Sequence, residues 1–232
     1  MNVIERFYNQ LRNAIVERRS APLPDVLFII VIVIGCTIAY IMAALILVPS
    51  NKATAYHFGN ERGAVTVLSA IFLAAASAFS LTSMVTLIRI NDQHKWVWLV
   101  LAIGFAFLSF DELLRFHEQA GIFIGQFLGS GVFRNWNDVI VILYGVLAFP
   151  IFISLLPGLI RWRMVLEMFT IAFVFYGIHT VIDSINDPPT SYSVILEESA
   201  KLFCGAFLVI GSFIGFIGVL WKNRIFDLTN AR

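Results

Sequence analysis

The chain has 232 residues, of which 59% are hydrophobic and only 13% charged, with a formal net charge of +1. A mean hydropathy of +0.85 excludes an ordinary soluble domain and points to an integral membrane protein. The near-neutral charge leaves no basic footprint for a nucleic acid, so the expected partners are membrane lipids and other membrane subunits.

Residues 1–23 come first. Ile4, Phe7, Leu11 and Ile15 share one helical face, with Glu5, Arg6, Arg12 and Arg18 elsewhere. That pattern predicts an amphipathic helix lying on a membrane surface. Ser20, Ala21, Pro22, Leu23 and Pro24 end it, because proline fixes φ and biases its predecessor away from the helix. The apolar run that follows begins too late and is too long to be a cleaved leader, so the first span is expected to be its own membrane signal.

Six apolar stretches follow, at 24–48, 64–89, 96–118, 138–157, 163–184 and 193–221. Each approaches or exceeds the roughly 20 residues that cross a bilayer core as a helix. They are continuous Leu/Ile/Val/Phe runs rather than short alternating segments, which argues against a barrel. The predicted fold is an all-α polytopic membrane helical bundle, a single six-span domain over 24–232. Between the third and fourth spans, Ala120 to Phe133 is apolar but too short to cross and contains Gly121, Gly125, Gly129 and Gly131. An interfacial or re-entrant cap is expected there. Asn186 to Thr190 reads as a turn. Cys36 and Cys204 both fall within spans and are expected to be ordinary buried thiols.

Arginine and lysine set the orientation. Eleven fall on the side of both termini: Arg6, Arg12, Arg18, Arg19, Arg89, Lys95, Arg161, Arg163, Lys222, Arg224 and Arg232. The opposite loops hold four, Lys52, Arg62, Arg115 and Arg134. Both termini are therefore predicted to be cytoplasmic.

Against this background, eight ionisable residues gather at the outer ends of three spans: Asp111, Glu112, His117 and Glu118; His179 and Asp183; Glu197 and Glu198. A charge at membrane depth costs at least about 2.5–3.5 kcal/mol, so such residues face the protein interior and pair, bind a metal or move protons. On a regular third helix Asp111, Arg115 and Glu118 share a face and His117 points away. His179 and Asp183 are one turn apart, suited to one metal or to a carboxylate-oriented imidazole. Lys201 lies within one turn of both Glu197 and Glu198 and is expected to neutralise one of them.

Carboxylates and imidazoles without thiolates suit zinc, iron or manganese. The expected ligands are Asp111, His117, His179, Asp183 and Glu198. Glu112 or Glu118 would activate metal-bound water, and Arg115 would hold an anionic group. No serine-hydrolase elbow, P-loop, dinucleotide fingerprint or HExxH is present.

Leu108-Ser109-Phe110-Asp111-Glu112 with His117-Glu118, and Leu196-Glu197-Glu198 with Gly205, resemble a broad set of uncharacterised bacterial membrane proteins bearing a Leu-Ser-x-Asp-Glu…His-Glu pattern and a later Leu-Glu-Glu pattern. That resemblance implies the bacterial inner membrane. The chain departs from it at Lys201, where the pattern often has a third glutamate. Phe175 to His179 and His179 to Asp183 look like elements of the CAAX-type intramembrane proteases. A polytopic bundle with a His/Asp site is also similar to alkaline ceramidases and adiponectin-receptor-like proteins, although the ceramidase HxxxH is missing and Asp111 to Arg115 is one residue short of EExxxR. Three readings follow: a metal-dependent hydrolase or oxidase acting on a lipid, a non-catalytic subunit of a membrane complex with structural charges, or a proton or ion pathway component.

Overall fold

In this computed structural model the described residues are 3–16, 23–47, 57–59, 63–128, 136–185 and 190–222. Expectations for the breaker at 20–22, the turn at 186–189 and Gly129, Gly131 and Phe133 fall outside them. So do Arg18, Arg19, Lys52, Arg62, Arg134, Arg224 and Arg232. The described residues form eight helices and no strand: α1 (Val3–Val16), α2 (Leu23–Ile46), α3 (Ala64–Arg89), α4 (Lys95–Leu114), α5 (Phe116–Leu128), α6 (Trp136–Leu159), α7 (Arg163–Ile185) and α8 (Ser191–Lys222). Six of them, α2, α3, α4, α6, α7 and α8, are long and apolar enough to cross a membrane. The architecture is that of a multi-pass membrane protein, as the sequence predicts.

Helices α3, α4, α7 and α8 make the core. Hydroxyls in apolar spans need partners, and several here find carbonyls, although the buried Ser80 and Ser212 hydroxyls find none. Thr82, Ser83 and Thr86 donate to the carbonyl one turn back within α3. Others bond across to a neighbouring helix: Ser77 Oγ donates to the Ala102 carbonyl at 2.8 Å and Ser109 Oγ to the Ala70 carbonyl at 2.9 Å. These two bonds fix α3 antiparallel to α4. Phe72 against Gly205 and Phe79 against Phe213 set α8 parallel to α3.

Helix α8 is the axis of the bundle, and glycines make it so. Gly211 receives the Phe169 ring, Gly215 the Trp98 ring and Gly218 the Trp162 ring. A Cβ at 211 or 218 would stand 2.6 or 2.7 Å from that ring, and one at 215 would overlap Trp98 outright. Omitting the side chain lets large aromatics from α4, the α6–α7 turn and α7 reach the helix backbone, the small-residue logic of packing in apolar surroundings. Trp98, Trp162, Phe169, Ile210 and Ile214 are all buried there. The start of α8 is a capping box: the Ser193 amide donates to Thr190 Oγ1 and the Thr190 amide to Ser193 Oγ.

Two spans stay at the margin. Tyr40 of α2 donates to the Ala64 carbonyl at the start of α3, and Tyr176 of α7 donates to the Val141 carbonyl of α6. Otherwise α2 and α6 expose most of their apolar surface, with Phe28, Val31, Val146 and Phe149 all exposed. Cys36, expected to be buried, is exposed on α2, because that helix turns so little of its circumference to the core.

One boundary departs from the sequence reading. The third span is not a regular helix over 96–118: α4 ends at Leu114, Arg115 takes a left-handed conformation at φ 59° and ψ 44°, and α5 starts at Phe116. Residues 116–128 are thus a separate helix, which packs mainly on α6. It takes in the apolar stretch from Ala120 to Leu128.

Candidate functional site

Alternation of the spans brings the last turns of α4 and α7 and the first turns of α8 to one end of the bundle, the polar end. Lys201 stands 21 positions before Lys222, about 32 Å at helical rise.

The corner at Arg115 builds the first part of the site. Its amide closes the last turn of α4 on the Asp111 carbonyl at 2.7 Å. A non-glycine residue in the left-handed region costs about 1–2 kcal/mol, and the side chains around it offset that. The buried Asp111 carboxylate receives the His117 amide on Oδ1 at 2.9 Å and faces the His117 ring nitrogen Nδ1 with Oδ2 at 2.8 Å. The Arg115 guanidinium pairs with Glu118. Asp111 thereby satisfies one of the free amides in the first turn of α5 and places negative charge at that helix N-terminus. Tyr144 of α6 turns its hydroxyl toward the same carboxylate, and its ring meets Phe107 edge-on at 5.6 Å.

The assumption of an unbroken helix, which turned His117 away from Asp111, is corrected here, because the left-handed residue reverses the chain enough for the two to meet. An ionised carboxylate only accepts hydrogen bonds. Facing Asp111 Oδ2, Nδ1 of His117 takes the donor role, which turns Nε2 toward Glu118. Glu118 Oε1 lies 4.0 Å from it.

Lys201 builds the second part. Its ammonium lies 2.9 Å from Glu112 Oε1 on α4 and 2.9 Å from Glu198 Oε2 on its own helix. The cation thus bridges two core helices. Pairing with Glu198 follows from the spacing, whereas Glu112 comes from another span and had no sequence signal. Glu197, about 100° further round α8, faces α7 instead, with Oε1 3.8 Å from His179 Nδ1. Asp183 adds its negative charge beside Glu198.

The two parts adjoin at the two imidazoles, His117 on one side and His179 on the other. Together they gather Asp111, Glu112, Glu118, Asp183, Glu197 and Glu198 around Arg115 and Lys201. Among the described residues no three His, Cys, Asp or Glu side chains converge as they would on one metal ion. Beneath Lys201, Phe175 stacks on Phe203 and Phe207 at centroid distances of 5.3 and 5.7 Å, an aromatic floor between the site and the rest of the bundle.

A smaller cluster at the opposite end had no counterpart in the sequence reading. Asp92 Oδ1 receives the His94 amide and faces its Nδ1, both at 2.8 Å, and Arg161 Nη1 lies 3.3 Å from that nitrogen. It joins the α3–α4 turn to the α6–α7 turn. An Asp-x-His loop is too common a pattern to have marked it.

Residues 26–214 match the family described as a domain of unknown function, DUF8692, and the chain belongs to that family. No curated protein and no solved structure matches the chain.

Proposed function

We propose, for this member of the DUF8692 family, a multi-pass protein of the bacterial inner membrane with both termini cytoplasmic, whose outer polar end is an acid–base site worked by His117 on a lipid-like substrate. The observation that carries this reading is the occupancy of Asp111: both of its oxygens are engaged by His117, through the backbone amide and Nδ1. A carboxylate that fixes tautomer and ring direction leaves Nε2 as a poised proton acceptor, the arrangement hydrolytic sites use to activate a hydroxyl or water. Such positioned bases contribute about 10²–10⁴-fold in rate. Lys201, clamped between Glu112 and Glu198, is frame rather than reactant.

The metal-dependent version of this function would recruit Asp111, His117, His179, Asp183 and Glu198 to zinc, iron or manganese. The geometry favours it less, because an ammonium already lies against Glu198 and would repel a divalent cation. A through-path for protons is disfavoured by the aromatic floor of Phe175, Phe203 and Phe207.

The test is turnover of ester-bearing lipid analogues by the purified protein, with the metal content of the same samples measured. His117→Gln is expected to lower turnover about 100-fold or more while keeping the parent melting temperature. Parent protein that turns over none of the analogues, or a His117→Gln variant that keeps full rate, would overturn the acid–base reading. The bridge from Lys201 to Glu112 and Glu198 specifically favours one second reading, a structural ion cluster in a subunit of a larger assembly. A parent without turnover whose charge variants only melt earlier would establish it.

A further inference from the structure

At the end of the bundle opposite the polar site, α1 is the one described helix outside the six spans that precedes them. Phe7 and Leu11 are partly buried, whereas Glu5, Arg6, Tyr8, Asn9, Gln10, Arg12 and Asn13 are exposed. Its packing partner is α6. Only 11% of the α6 span is buried inside the protein, against 61% of α8, so α6 is held weakly by the core and gains in proportion from any strap. The alternation of the spans brings the C-terminus of α6 to the end where α1 leads into α2.

Charge separates the two ends. Among the described residues, by position along the alternating spans, the end with α1 carries seven basic and four acidic residues, and the polar end two basic and seven acidic. A helix of 14 residues is marginal in water on its own. An amphipathic helix of this kind gains stability by burying its apolar face at a bilayer boundary while its arginines meet anionic headgroups. We infer that α1 binds the anionic lipid surface at this end of the bundle and, through that surface, straps the fourth span to the core. This inference stands independently of the acid–base site.

The experiment is hydrogen exchange on the full chain in bilayers of phosphatidylcholine alone and of phosphatidylcholine with phosphatidylglycerol. Amides of α1 are expected to exchange about thirtyfold more slowly in the anionic bilayer, the sum of two arginines near a charged surface, and the C-terminal half of α6 should gain protection alongside. Salt at about 1 M should erase the difference, since the screening length falls to ~3 Å. The Arg6→Gln/Arg12→Gln double variant should lose the lipid dependence and keep the protection seen in phosphatidylcholine. Equal exchange in both bilayers, a lipid effect that survives high salt, or a double variant that still responds would overturn the proposal. Should the double variant fail to fold, the salt series on the parent chain decides alone.

Discussion

The marginal spans are more apolar in sequence than the core spans, and the two groups are held in different ways. Helix α8 has 61% of its span buried and α3 has 39%, while α2 and α6 have 11% each. In water, burial of apolar surface drives association. Inside a bilayer the lipid is as apolar as leucine, and close packing and polar contacts must do that work. The core has both: glycine gaps filled by Trp98, Trp162 and Phe169, cross-helix hydroxyl bonds, and a lysine shared between α4 and α8. Helices α2 and α6 reach the core through few side chains, chiefly Val26 on α2 and Leu155 and Leu159 on α6, with a tyrosine bond from or to each, and α6 also contains Pro150 and Pro157. A hydrophobic run therefore states that a helix crosses, and its small and polar residues state what it crosses against.

The most severe way to break the core is to remove its bridging cation. Lys201→Met leaves Glu112 and Glu198 facing each other without a counter-charge and is expected to cost about 3–5 kcal/mol. The melting temperature in detergent should fall steeply, and adding Glu112→Gln to the variant should restore part of it. An additive double variant would separate the two residues. Next comes the glycine axis. Gly215→Ala places a methyl in the Trp98 ring and should cost about 1–3 kcal/mol, and Trp98→Leu in the same chain should recover some of that loss.

Smaller effects are expected at the margin. Tyr176→Phe deletes the bond to the Val141 carbonyl and should cost about 0.6 kcal/mol, read as faster proteolysis near α6 more than as a shifted global melt. Smallest of all, Val31→Ala on α2 or Phe149→Ala on α6, both exposed positions, should change the stability by less than about 0.5 kcal/mol. A large loss at either would show that these faces are covered by protein, which sharpens the contrast into a question about assembly.

Much of this was readable from the chain, because burying backbone in lipid forces continuous helices and leaves a run of apolar residues as its trace. The six spans, their alternation, and the gathering of Asp111, Glu112, His179, Asp183, Glu197 and Glu198 at one end all follow from length and position. So does the Glu198–Lys201 pair, a neighbour at fixed helical spacing. Pairing across helices did not follow. The choice of Glu112 for Lys201 and of His179 for Glu197 depends on which helices touch and at what rotation, and in apolar spans that depends on Gly205, Gly211, Gly215 and Gly218 meeting particular rings. The Asp111–His117 contact was hidden for a different reason. It exists only because Arg115 adopts a left-handed turn, and a non-glycine residue does so when the surrounding side chains outweigh its own backbone preference. Local spacing determined where the charges lie along the spans; the tertiary structure alone decided which of them meet, since that depends on close packing between distant segments and on one backbone angle that the sequence disfavours.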